Sequence, residues 1–270
     1  MTLPSPSSAF PASPGAMGVP AGRIYAGCSG WAYSQWKPGF YPPKTPSKRF
    51  LEHYAGRLNS VEVNYTFRQL PSRSTIDGWL AQVGPEFRFS FKAPQRITHI
   101  KRLKDCGEWL SVFYTALRPV TAAGRMGLIL FQLPPNFKAD PVKFEAFLED
   151  AVPAEAGNLR VAFEFRHPSW FDEQIYALLH KHNAALCAAE SDELETPDIA
   201  TASYSCYRFR KSDYRDEELV KIEERLKESA RRGDVFAYFK HEETPEGALN
   251  AESLLQRLRQ ERLHPGEPAR

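Results

Sequence analysis

From Ile24 onward, short runs rich in β-branched and aromatic residues alternate with longer stretches whose apolar positions recur every three to four residues. The short runs are IYAGCS from Ile24, VEVN from Val61, FRFSFK from Phe87 and GLILFQ from Gly127. They continue with RVAFEF from Arg160, AALCAA from Ala184, SYSCYRF from Ser203 and VFAYFK from Val235. Their lengths and composition predict eight strands.

The intervening stretches predict amphipathic helices. Phe50, Leu51, Tyr54 and Leu58 share one face, as do Ile76, Trp79, Leu80 and Val83. Cys106, Trp109, Leu110, Phe113 and Leu117 form a third stripe, and Phe144, Phe147 and Leu148 a fourth. Ile175, Leu178 and Leu179 follow, then Leu219, Ile222 and Leu226, then Leu254, Leu255 and Leu258. Roughly residues 190–202 carry no such stripe.

Strands alternating with helices imply a parallel sheet with right-handed crossovers. No GxGxxG follows the first strand, which removes the main argument for an open, doubly wound sheet. Eight repeats instead predict closure into a single (β/α)8 TIM-type barrel over 23–263, and the 270-residue length suits a unit of about 250. The Pro/Ser/Ala-rich segment 1–22 buries too little surface to offset its ordering entropy and is expected to be a disordered tail, with 264–270 a second, short one.

Side chains alternate across a strand, so residues two apart share a face. Apolar Val61 and Val63, Phe87, Phe89 and Phe91, and Val161, Phe163 and Phe165 should pack on the helices. The opposite faces then bring Glu62, Asn64, Lys92, Gln132, Glu164, Arg166, Arg208 and Lys240 to the C-terminal ends of the strands. That is the end where barrel enzymes build their sites. Trp31, Tyr33, Trp36 and Trp170 are candidates for aromatic walls, and His99, His167 and His241 lie near the same rim. We expect Glu62, Lys92 and Glu164 to be catalytic. Trp31, Tyr33, Asn64, His99, Gln132, Arg166, His167, Trp170, Arg208, Lys240 and His241 are expected to bind substrate. The bland alternative is an internal ion-pair network in which Glu62 and Lys92, on neighbouring strands, neutralise each other, as Glu164 and Arg166 do with partners.

Composition adds little. A formal net charge of +2 does not by itself announce a nucleic-acid or membrane partner. No run approaches the length of a membrane span, no secretory signal begins the chain, and the four cysteines show no metal spacing. A soluble, cytoplasmic protein with reduced thiols is expected. No cofactor is predicted; a single divalent cation on Glu62, Glu164 or Glu242 is the weaker idea, since no HxH or HExxH occurs.

GCSGWAYSQW, VEVNYTF, FKAPQRITH, FQLPPNF and EFRHPSW, in that order, resemble the YecE-like family, domain-of-unknown-function family 72. The resemblance runs from about Ile24 to Leu258 and implies a TIM-type barrel without an assigned reaction. Those barrels have been likened to sugar-phosphate isomerases and endonuclease-IV-type nucleases, an analogy of fold alone. The matched positions are Ser29, Gly30, Trp31, Tyr33 and Trp36; Glu62, Asn64, Thr66 and Phe67; Lys92, Thr98 and His99; Gln132, Pro134 and Pro135; and Glu164, Arg166, His167 and Trp170. Tyr65 and the Arg68-Gln69 pair depart from the commoner pattern, as do RFRKSDY, where Arg-x-His-Gly is usual, and Lys240-His241-Glu242, where paired asparagines are usual.

Three functions fit these residues. Lys92, Arg166, Arg208, Arg210 and Lys240 converge on one rim, which points to a phosphorylated small molecule or a nucleic-acid backbone, handled by a hydrolase or isomerase. Glu62 and Glu164 on separate strands suit a glycoside hydrolase, although the surrounding cations would keep both ionised. A non-enzymatic nucleic-acid-binding module is the third.

Overall fold

All eight strands form close to their expected positions. In the computed structural model they are β1 (Ile24–Cys28), β2 (Ser60–Val63), β3 (Arg88–Lys92) and β4 (Met126–Gln132), then β5 (Val161–Glu164), β6 (Ala185–Glu190), β7 (Ser205–Phe209) and β8 (Val235–Phe239). The structure describes residues 22–152, 159–190, 196–211, 213–240 and 243–263. The expected tails lie outside the described residues, except Gly22, whose N–H already donates to the Ala230 carbonyl at 2.6 Å.

Helices α1 (Phe50–Arg57), α2 (Arg73–Leu80), α3 (Gly107–Ala122), α4 (Pro141–Ala151), α5 (Glu173–Lys181), α6 (Asp216–Ala230) and α7 (Glu246–Leu263) carry the seven expected stripes. Their starts follow local chemistry: Ser72 and Asp140 cap α2 and α4 by accepting from the N–H groups of Thr75 and Lys143. Among the described residues, 196–202 form no helix, as the missing stripe implied.

Every paired strand is parallel, in the order β1-β8-β7-β6-β5-β4-β3-β2, with β1 lying alongside β2. The strands thus form a nearly closed TIM-type barrel. Side chains close the β1/β2 seam. Asn59 accepts from Ala26 N–H at 2.8 Å and donates to the Ile24 carbonyl at 2.9 Å. The Tyr54 hydroxyl accepts from Cys28 N–H at 2.7 Å and donates to the Ser60 carbonyl at 2.9 Å. Gly27 is required here, because a Cβ would sit 1.8 Å from the Ser60 carbonyl oxygen. Asn59→Ala would orphan two backbone groups of β1, and urea unfolding should register a loss of about 1–3 kcal/mol. Unchanged stability would mean that water can close the seam.

The phenylalanine faces of β3 and β5 pack outward on the helices, as alternation required. The barrel interior is filled by Tyr25, Leu128, Leu130, Ala162, Ala185, Cys187, Tyr204, Cys206, Phe236 and Tyr238. Above that plug, the Tyr238 hydroxyl bridges Ser60 (2.8 Å) and Ser90 (2.6 Å), a satisfied polar layer on which the strand-end residues rest. All four cysteines are buried free thiols. No helix among the described residues is long and apolar enough to cross a membrane.

Candidate functional site at the strand ends

Arg208 continues the inward face of β7 past Cys206 and reaches across the barrel mouth. One Nη donates to Glu62 Oε1 on β2 at 2.8 Å, and the other pairs with Glu164 Oε2 on β5. Arg208 and Glu164 are each 2% exposed and Glu62 is 0%. Buried charges of this kind persist only when paired and hydrogen-bonded. Ser29 supplies a further bond, donating to Glu62 Oε1 at 2.8 Å. Gln132 donates to Glu164 Oε1 at 2.8 Å, and Arg166 Nε reaches the same oxygen at 3.0 Å.

This arrangement corrects several expectations. Arg208 is a buried crosslink between two carboxylates: both Nη groups are occupied, and its Nε has no partner among the described residues. Gln132 supports Glu164 through its side-chain amide. Glu62 does not pair with Lys92: the register sets Glu62 opposite Ser90, so Lys92 stands one step nearer the barrel mouth. Glu164 is a poor general base. Burial raises its carboxyl, but Arg208 and Arg166 outweigh that and hold it well below the usual carboxylate range. With both carboxylates clamped by one arginine, the general acid of a glycosidase is missing. Glu62 keeps one oxygen, Oε2, buried without a partner among the described residues, as does Asn64 at Oδ1.

The aromatic walls are also different from those expected. Trp170 is 1% exposed, stacks on Phe165 at 4.6 Å and donates to the Phe137 carbonyl, so it packs beneath its loop. Trp36 is equally buried. Trp31 and Tyr33 are half-buried: Trp31 meets Trp79 edge-on, and the Tyr33 hydroxyl donates to the Ser29 carbonyl at 2.8 Å. His167 accepts from Ser169 N–H and starts a helical turn. His241 and Glu242 lie outside the described residues.

The open space lies elsewhere on the rim. A pocket of about 460 Å³ is lined by Asn64, Tyr65, Phe67, Arg68, Gln69 and Lys92. Tyr65 and Phe67 form its aromatic wall on a turn directly after β2, and Thr66 pins that turn by donating to the Lys92 carbonyl at 2.7 Å. Aromatic residues immediately past a strand end were the available signal for this wall. Ser29 was visible as a position of the first matched motif, directly after β1.

Cations outnumber what the two carboxylates neutralise. Arg208 and Arg166 balance Glu62 and Glu164. Half-buried Lys92 and Arg210 then remain, and neither has a carboxylate within ion-pair distance among the described residues. Burial first, then repulsion from Arg208, brings the Lys92 ammonium down to about 8 and lowers the Arg210 guanidinium. His99, half-buried edge-on to Phe67, is lowered by burial and by Lys92 and Arg166, which favours the neutral ring. No group of three or more metal-ligating side chains occurs among the described residues, and Arg208 already occupies Glu62 and Glu164.

Comparison with known proteins gives a consistent set of relatives. A family model described as protein of unknown function DUF72 matches residues 25–270. UPF0759 protein YunF of Bacillus subtilis is 28% identical over 159 residues, 57% of this chain and 54% of that protein. UPF0759 protein YecE of Escherichia coli is 32% identical over 149 residues, 55% and 50% respectively. The chain thus spans about half the length of the curated relatives it matches. A DUF72 family protein of Thermotoga maritima superposes with a TM-score of 0.78 at 27% identity, covering 88% of this chain and 99% of that one. A second, of Enterococcus faecalis, gives 0.66 at 16% identity over 87% and 98%, a likeness that bears on the fold alone.

Proposed function

This chain belongs to the DUF72 family, and we propose that its strand-end pocket binds a phosphate-bearing small molecule as an enzyme of the hydrolase or isomerase type. The observation that carries this reading is the cationic surplus. Lys92 and Arg210 are both shifted toward neutrality, first by burial and then by repulsion from Arg208, and neither has a carboxylate partner among the described residues, so a bound anion would complete the charge balance. Arginine forks match phosphate oxygens in geometry and stay charged when partly buried. Arg166 is 33% exposed, so it can contact a ligand while keeping its bond to Glu164. The pocket volume suits a small ligand. Glu62, with its unpartnered Oε2, is the base candidate. A net charge of only +2 gives a nucleic-acid backbone less support.

Calorimetric titration of the full chain with inorganic phosphate should show one site per chain, abolished by Arg166→Met and weakened by Arg210→Met. Titration heats equal to those of chloride at matched ionic strength would refute the proposal.

A further inference from the structure

We infer that Lys92 is a nucleophilic amine that forms an imine with an aldehyde or ketone, so that the pocket takes a carbonyl compound; the phosphate reading is needed only for that ligand's anionic end.

The placement argues for it. The Lys92 side chain leaves the end of β3 and forms part of the pocket wall with Asn64, Tyr65 and Phe67. Its nitrogen sits 4.2 Å from the centre of the Phe67 ring, and no carboxylate among the described residues holds it in an ion pair. A structural lysine at a barrel mouth would be expected to neutralise Glu62 or Glu164, yet Arg208 has taken both. The amine therefore faces the space a ligand would occupy. Desolvation and nearby cations are the two devices that activate lysines as nucleophiles, and Lys92 has both. With a pKa of about 8 it presents roughly two hundred times more free amine at pH 7 than an ordinary lysine.

The step balances without an oxidant or reductant. The amine lone pair forms the C–N bond at the carbonyl carbon, and a proton passes from nitrogen to oxygen to give the carbinolamine. Departure of that oxygen as water leaves the C=N bond. Solvent in the pocket can carry the proton from nitrogen to oxygen; Asn64 lines the same pocket beside Lys92. The protonated imine keeps its positive charge over the Phe67 ring, whose face favours a cation.

The test uses pyridoxal 5′-phosphate and, separately, pyridoxal as aldehyde probes of the full chain at pH 7. Borohydride traps the imine, and peptide mass spectrometry maps it. Lys92 should be labelled at least about tenfold faster than any surface lysine, given its larger free-amine fraction. Lys92→Arg should lose that adduct while the slower labelling of surface lysines continues unchanged. Labelling spread over surface lysines without preference for Lys92 overturns the imine, even if calorimetric phosphate binding persists. Preferential labelling of Lys92 at equal rates by both aldehydes upholds the imine and removes support for the phosphate end.

Discussion

Replacing Arg208 with methionine is expected to cost about 3–5 kcal/mol of folding stability, the range for removing one partner of a buried charge pair. Glu62 would lose its cation, while Glu164 would keep Arg166 at 3.0 Å. Both carboxylates would then face each other across the barrel mouth with their desolvation only partly compensated. Ser29 would still donate to Glu62, and Gln132 and the charged Arg166 to Glu164, which softens the loss. Urea unfolding gives the number directly. Adding Glu62→Gln and Glu164→Gln to Arg208→Met should recover much of the loss, since neutral amides need no counter-ion. An Arg208→Met protein that unfolds at the wild-type midpoint would mean that neither carboxylate depends on this arginine for its burial.

The polar inward face could be read from alternation because burial forces it: Val61, Val63 and the phenylalanines of β3 and β5 leave Glu62, Lys92 and Glu164 one side to occupy. What each of those residues does there could not be read so simply. Glu62 and Lys92 look adjacent when strands are merely set side by side, but the register places Ser90 opposite Glu62. The Arg208 crosslink joins residues 44 and 146 positions apart in the chain, and no local pattern encodes which carboxylates a long side chain will reach. Trp170 shows the same limit. Its loop was placed correctly at the rim, but the ring turns back onto Phe165 because stacking there buries it fully. Tyr65 and Phe67 form the wall that the tryptophans were expected to make.

The second large effect concerns phosphate. A ligand that binds only the folded state adds stability by mass action, about 2.7 kcal/mol at a hundredfold excess over its dissociation constant. Part of that gain arises because the empty site carries mutually repelling cations, which the anion relieves. Arg166 and Arg208 should separate cleanly in this respect. Arg166→Met leaves Glu164 bonded to Arg208 and Gln132, so its cost to stability should stay under about 1 kcal/mol. Its response to phosphate should nevertheless disappear.

The most direct test of the account is therefore thermal unfolding of wild type and Arg166→Met, each with inorganic phosphate and with chloride at equal ionic strength. Phosphate should raise the wild-type melting temperature, chloride should not, and Arg166→Met should melt near the wild type without responding to phosphate. A wild type indifferent to phosphate, together with an Arg166→Met protein that is strongly destabilised, would contradict the account and leave the charged rim as an internal ion-pair network.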